Sequence, residues 1–260
     1  MQSERGNQDE VQKCQRYPTV WEIDHQYMLK VYESLEDLKR NAQILTILSE
    51  YGAPVARIIK NPVQGDHAIA DQKYWLLTTK LPGSNMTDVR AAGVGYKMGE
   101  TIASLHVMFR ECEKKIPFWD NSLLDEMEGW VKDILTADGW KLIRKQEYES
   151  SVKRLRTVYA VLPKQLIHRD VHFGNFLFQN GEFSGYIDFD LSQRNIRIFD
   201  LSYFLAGLLA KESGNNLQKE EWLRILHDVL SGYESIAAYF ISIEDLLCAA
   251  DAADIFHKVQ

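Results

Sequence analysis

LIHRDVHFGNFLFQNGEFSGYIDFD, residues 166–190, carries a histidine, two carboxylates and an amide at spacings that suit one chemistry. Asp170 can accept the proton of an attacking hydroxyl. Asn175, five residues later on the same loop, and Asp188 offer hard oxygen ligands of the kind magnesium takes. Transfer of a phosphoryl group from ATP asks little covalent help of a protein. It asks for alignment, and for positive charge around oxygens that are already negative. The apolar runs Phe176–Phe178 and Phe183–Ile187, separated by Asn180-Gly181, read as two short strands and a tight turn. Such a hairpin is expected to return Asp188 to the mouth of the loop that bears His168, Asp170 and Asn175. Asp and Asn also favour turns for local hydrogen-bonding reasons, so a buried hairpin with turn-capping polar residues is the competing reading. The strand-like Ile187-Asp188-Phe189, followed by Phe199-Asp200-Leu201, weighs against it.

The bulk properties narrow the setting. The chain has 260 residues, 45% apolar and 26% charged, which is ordinary for a globular protein with a sizeable core. No apolar run reaches the roughly eighteen residues of a membrane span. The opening MQSERGNQDEVQKCQ is polar and lacks an apolar signal core, so a cytoplasmic location is expected, with no membrane partner. Cys14, Cys112 and Cys248 are scattered and odd in number, which supports neither a disulfide framework nor a zinc site. A net charge of −7 argues against nucleic acid as a partner.

The loop His168-Arg169-Asp170-Val171-His172-Phe173-Gly174-Asn175 resembles the H-x-D-x-H-x-x-N loop of the aminoglycoside phosphotransferase and choline kinase group of small-molecule kinases. The resemblance covers roughly residues 17 to 245. It implies an α+β, bilobal, protein-kinase-like fold. The small β-rich N-terminal lobe would span residues 1–80, the hinge about 76–83, and the larger, mainly helical catalytic lobe 84–260. It implies ATP and Mg as cofactors and a small-molecule acceptor with a hydroxyl group, aminoglycoside-like, choline-like or another amine or sugar. By the same resemblance Lys30, in YMLKVY, holds the α- and β-phosphates, and Leu76, Leu77, Thr78, Thr79 and Lys80 meet the adenine. Asp200 braces the catalytic loop. Asp190 stands where a protein kinase has the glycine of D-F-G and joins the candidates for the substrate side. Helices in the region of Trp119, Asp120, Asp125, Glu126, Glu128, Trp130 and Asp133 line the acceptor site in related enzymes. A solvated helix face with core tryptophans explains the same residues without a ligand. His106, in a helix reading GETIASLHVMF, is expected to be a packed or capping histidine.

Along the chain, strands are expected at Thr19–Ile23, Gln26–Val31, Pro54–Ile59 and Tyr74–Thr79. Helices are expected at Leu35–Tyr51, Met98–Arg110, Trp119–Ala137 and Trp140–Val161, with Gly129 and Asp138-Gly139 as breaks, and at Leu217–Tyr239 and Ile243–His257. Two features depart from the family pattern. Only one clear strand and a polar segment precede Lys30, with Gly6 as the single glycine, so the N-terminal lobe reads as abbreviated and without a glycine-rich loop. The helix position where a glutamate should pair with Lys30 falls at Asn41. These departures give the alternative reading, a weak or inactive nucleotide-binding scaffold on the same fold. A protein kinase is disfavoured, because only twelve residues separate Asp188 from Asp200 and no Ala-Pro-Glu follows.

Overall fold

The computed structural model describes residues 11–13, 19–63, 65–86, 88–118, 120–209, 216–237 and 241–259. They form an α+β protein of two compact units. One comprises Met1–Ser84 with Leu177–Asp190, and the other Asn85–Phe176 with Leu191–Gln260.

The first unit is built on a five-stranded antiparallel sheet in the order β1-β2-β3-β5-β4. Its strands are β1 (Val11–Lys13), β2 (Val20–Ile23), β3 (Tyr27–Tyr32), β4 (Ala68–Ala70) and β5 (Lys73–Thr79). Asp24 and His25, with φ of 51° and 57°, turn β2 into β3 through a three-residue connection in which the Gln26 amide donates to the Ile23 carbonyl at 3.1 Å. This places Lys30 opposite Val20 on one side and Leu76 on the other. β1 corrects the reading of the N-terminal stretch as strandless. Its three residues, VQK, pair with β2, but are too short and too polar to give an alternation signal. Residues 14–18, between β1 and β2, lie outside the described residues.

Helix α1 (Leu35–Glu50) starts where the Ser34 side chain accepts from the Asp37 amide, with Glu36 and Asp37 against the positive end of the helix. It buries Leu38, Ile44, Leu45 and Leu48, and also the polar Asn41. The strand expected at Pro54–Ile59 is not formed. Pro54 has no amide to donate, and the segment crosses from one partner to another. Pairing reduces to single bridges, Val55 with Tyr186 and Ile58 with Thr78.

The strands β8 (Phe176–Gln179) and β9 (Glu182–Tyr186) form the expected hairpin, with φ of 55° at Asn180 and 81° at Gly181. With β6 (Ser84–Asn85) they make a three-stranded sheet in the order β6-β8-β9. The chain was expected to divide once, near residue 83. It divides differently, because the hairpin belongs with the N-terminal unit. The Tyr186 amide donates to the Pro54 carbonyl at 3.0 Å. Gly83, at φ 103°, lies so close to β8 that a Cβ would stand 2.6 Å from the Phe178 carbonyl oxygen.

The second unit is mainly helical. Helix α2 (Val94–Lys115) extends beyond the expected Met98–Arg110 at both ends and crosses α7 (Lys219–Ile236) at two glycines. A Cβ on Gly99 would stand 2.0 Å from the Val229 carbonyl oxygen, and one on Gly232 2.0 Å from that of Tyr96. The nearly all-apolar α6 (Phe199–Gly207) is buried against α8 (Ile243–Val259), which also meets α5 (Lys145–Tyr159). The helical stretch expected over Trp119–Ala137 with a break at Gly129 forms as α3 (Leu123–Glu126), a π turn at Met127–Val131 and α4 (Lys132–Ala137). Gly129, at φ −96° and ψ −112°, leaves helical space. Helix α5 begins later than expected because Gly139 and Trp140 have φ of 68° and 61°. An antiparallel pair, β7 (Lys164–Ile167) and β10 (Gln193–Ile196), was not foreseen, since QRNI buries polar residues and shows no apolar alternation. Among the described residues no helix is long and apolar enough to cross a membrane.

Candidate active site

In the second unit, β7 delivers the chain into the loop 168–175, and a single buried carboxylate organises its start. Asp200, fully buried at the first turn of α6, accepts from the His168 amide and the Arg169 amide, both at 2.8 Å. It also meets His106 Nε2 at 2.9 Å, while His106 Nδ1 meets the Tyr233 hydroxyl at 2.8 Å. His106 is thus a fully buried brace between α2, α6 and α7. Asn85 closes the loop from its other end, donating to the carbonyls of Phe173, Gly174 and Phe176. Arg169 takes φ of 73°, a costly conformation for a long side chain. Its guanidinium is anchored by Glu126 at 2.7 Å and lies over the Phe256 ring.

This frame presents Asp170. Its carboxylate accepts from Asn175 Nδ2 at 2.9 Å, lies 3.3 Å from His172 Nε2, and meets the Tyr203 hydroxyl. His172 Nδ1 accepts from the Gly174 amide, so the proton of the neutral ring sits on Nε2, facing the carboxylate. Burial alone would raise the Asp170 pKa. The His172 bond and charge, His168 and the Asn175 amide more than reverse it and hold the carboxyl at about 2. Desolvation and the nearby Asp170 charge push the Tyr203 phenol well above its ordinary value. Asn175 is almost fully buried, and both bonds of its nitrogen go to Asp170. Its oxygen Oδ1 has no partner among the described residues. His168 is fully buried, with its ring stacked on Phe176. It serves the position of the loop and does not reach a surface where substrate could touch it.

The first unit holds the other charged cluster. Lys30 Nζ lies 2.9 Å from Asp188 Oδ1 and 2.6 Å from Asp190 Oδ2. Burial would lower the lysine pKa, but Asp190 and then Asp188 reverse the effect and raise it. Asp188, just past β9, has φ of 63°. The cluster sits at one end of a cavity of about 260 Å³ whose apolar wall includes Val20, Met28, Ala56, Leu76, Leu177 and Ile187. Leu76, Thr78, Thr79 and Lys80 line it; Leu77, on the opposite face of β5, does not. The Leu77 carbonyl and the amides of Thr79 and Lys80 are already bonded to Ile59, Arg57 and Gln26.

The acceptor-side candidates do not gather. Trp119 lies outside the described residues. Asp120 pairs with Arg194 at 2.6 Å, and Glu128 with Arg156. Asp125 and Asp133 are exposed on the first turns of α3 and α4. Trp130 packs edge-on to Phe256. Glu126 is committed to Arg169, so it braces the loop from α3. The sequence reading missed Tyr203 and the Tyr32–Asn41–Asp190 contacts, because partners far apart in the chain leave no local pattern.

The family pattern implies a divalent cation. Among the described residues no three His, Cys, Asp or Glu side chains converge on one point. The donor set fits magnesium nonetheless, a hard ion that keeps several waters and takes few protein oxygens. The unpartnered, buried Asn175 oxygen in the second unit is of that kind, and so, taken by itself, is the Asp188 carboxylate in the first.

Two curated homoserine kinases are similar in sequence. That of Gluconobacter oxydans (strain 621H) is 26% identical over 165 residues, 62% of this chain and 49% of its own length. That of Polaromonas naphthalenivorans (strain CJ2) is 25% identical over 191 residues, 69% of this chain and 58% of its own length. The chain therefore spans about half the length of the curated relatives it matches. Among solved structures, an amicoumacin kinase in complex with AMP-PNP, Ca2+ and Ami superposes with a TM-score of 0.69 at 18% identity, covering 98% of this chain and 80% of that one. A type VIII aminoglycoside-3'-phosphotransferase gives 0.62 at 19% identity over 95% and 94%. A choline kinase from Cryptosporidium parvum Iowa II gives 0.61 at 13% identity over 97% and 81%. The fold is therefore the protein-kinase-like fold of these enzymes. The profile of the "Phosphotransferase enzyme family" matches residues 16–239, and the chain belongs to that family.

Proposed function

We propose that the chain transfers the γ-phosphoryl group of ATP to a hydroxyl of a small molecule. Asp170 accepts the hydroxyl proton, and Asn175 and Asp188 hold magnesium. Lys30 takes the α- and β-phosphates, and the cavity along β5 takes the base. The observation that carries this reading is the division of labour within Asn175. Its nitrogen fixes the Asp170 carboxylate and its buried oxygen is left bare for a cation. Magnesium, when bound, neutralises charge on the triphosphate. The residues do the rest. His172 and Asn175 keep Asp170 ionised and oriented, the Tyr203 hydroxyl bonds the same carboxylate, and Asp200 fixes the loop that carries them. Homoserine, choline, ethanolamine and aminoglycosides form the first acceptor panel, because family relatives are named for them.

The test is ADP release with that panel, wild type against Asp170→Asn. The expected result is turnover with at least one acceptor, falling by about 10²- to 10⁴-fold in the variant, with nucleotide affinity kept. Near-normal turnover in Asp170→Asn would remove the base assignment.

A further inference from the structure

We propose that Asp190, fixed by Tyr32 and Asn41, is the residue that positions Lys30 for the nucleotide, in place of a carboxylate on helix α1. The inference rests on the reading of Lys30 as the phosphate ligand. It concerns residues of one compact unit only.

The argument begins at α1. The residue aligned with the expected glutamate is Asn41, which is buried and neutral, and it donates. Its amide nitrogen bonds both the Tyr32 hydroxyl and Asp190 Oδ1. The Tyr32 hydroxyl in turn donates to Asp190 Oδ1 at 3.1 Å. One oxygen of Asp190 is therefore held by two donors, and the other, Oδ2, faces Lys30 Nζ at 2.6 Å. Tyr32 stands two residues from Lys30 on β3, on the same face of the sheet, and the lysine head lies 5.5 Å from its ring. Asp188 also touches Lys30 through one oxygen, but on the proposed reading its carboxylate is shared with magnesium, which draws its charge away from the lysine. Asp190, whose three contacts are all to protein donors, can serve as the permanent lysine partner.

The amide at Asn41 and the carboxylate at Asp190 then explain each other. A glutamate at position 41 would point a second carboxylate at Asp190, and like charges at that distance repel. A carboxylate on the strand side and an amide on the helix side give the same ion pair with the roles exchanged. This takes Asp190 away from the acceptor, because both of its oxygens are used.

The experiment is calorimetric binding of magnesium-ADP and of a non-hydrolysable ATP analogue, with KM for ATP and for the acceptor measured in parallel. Lys30→Met and Asp190→Asn are each expected to weaken nucleotide binding by about tenfold, since each removes one charge-assisted contact. Tyr32→Phe, a mild change that keeps the fold, is expected to weaken it about two- to threefold. Acceptor KM stays within about twofold in all three, because only the nucleotide contacts change. The double variant Asn41→Glu with Asp190→Asn restores the pair from the helix side and is expected to return most of the lost affinity. Loss in Lys30→Met together with wild-type affinity in Asp190→Asn overturns this inference alone. So does a raised acceptor KM with unchanged nucleotide affinity in Asp190→Asn. Unchanged affinity in Lys30→Met overturns the phosphate-ligand reading as well. A double variant no better than Asp190→Asn overturns the exchange of roles between helix and strand.

Discussion

Asp170, the proposed base, is kept ionised by its neighbours, and that has a consequence for stability as well as for the proposed turnover. Its folded carboxyl sits at about 2, below the roughly 3.9 of an unfolded aspartate. A depressed folded value stabilises the folded chain above the unfolded value and loses that contribution as pH falls toward the folded one. The stabilisation is thus fully present above about pH 4 and fades toward pH 2, and it is worth roughly 2 kcal/mol. Acid titration of unfolding free energy is expected to fall more steeply between those limits in wild type than in Asp170→Asn. Parallel curves would mean that His172 and Asn175 do not hold the charge. At this scale the sequence was most legible where function demands fixed spacing. His168, Asp170, Asn175 and Asp188 could be picked out from one stretch. Tyr203 and the Asn41–Asp190 pairing could not, since the first lies thirty-three residues from its partner and the second 149.

Among the elements, the crossing of α2 and α7 leaves no room for a methyl group. Gly99→Ala and Gly232→Ala each set a Cβ against a backbone oxygen that no rotamer can move. Each is expected to cost roughly 1–3 kcal/mol, read as a lower urea midpoint with an unchanged slope. Full retention of the midpoint would show that the helices slide apart at no cost. Asp200→Ala strips the acceptor from two amides and from His106, and leaves a buried polar cluster unpaired. It is expected to cost at least about 3 kcal/mol and to lower turnover even where the chain still folds, measured by unfolding and by ADP release. Elements with a clear period, such as α1 and the hairpin at Asn180-Gly181, were readable in advance. β1, β7 and β10 were not, because short strands with buried polar residues carry no alternation. The breaks at Gly129 and Asp138-Gly139 were readable too, because glycine is a poor helix former and a local signal marks it.

For the whole molecule, a ligand that binds only the folded chain raises its stability by mass action, about 2.7 kcal/mol at a hundred times the dissociation constant. Magnesium with ATP or ADP is expected to raise the melting temperature of wild type, and Asp188→Ala to lose the magnesium-dependent part of that rise. A rise in Asp188→Ala equal to that of wild type would remove Asp188 from the metal site. Fold class was legible from the catalytic stretch together with the helical patterns that follow it, because they match a family whose parts come in a fixed order. The division into units was not legible. Sequence order suggests one cut, whereas hydrogen bonds of Pro54 and the close approach at Gly83 draw a distant hairpin into the N-terminal unit.

That hairpin sets a timetable for synthesis. A ribosome releases the first eighty-four residues long before it makes Leu177–Asp190, yet the cavity wall at Leu177, Tyr186 and Ile187 and both carboxylates facing Lys30 belong to the later piece. The nascent N-terminal unit must therefore wait with an unfinished wall and an unpaired lysine while nearly a hundred residues of the other unit emerge. On the proposed reading of that cavity, the growing chain gains its nucleotide site only after residue 190 has left the exit tunnel.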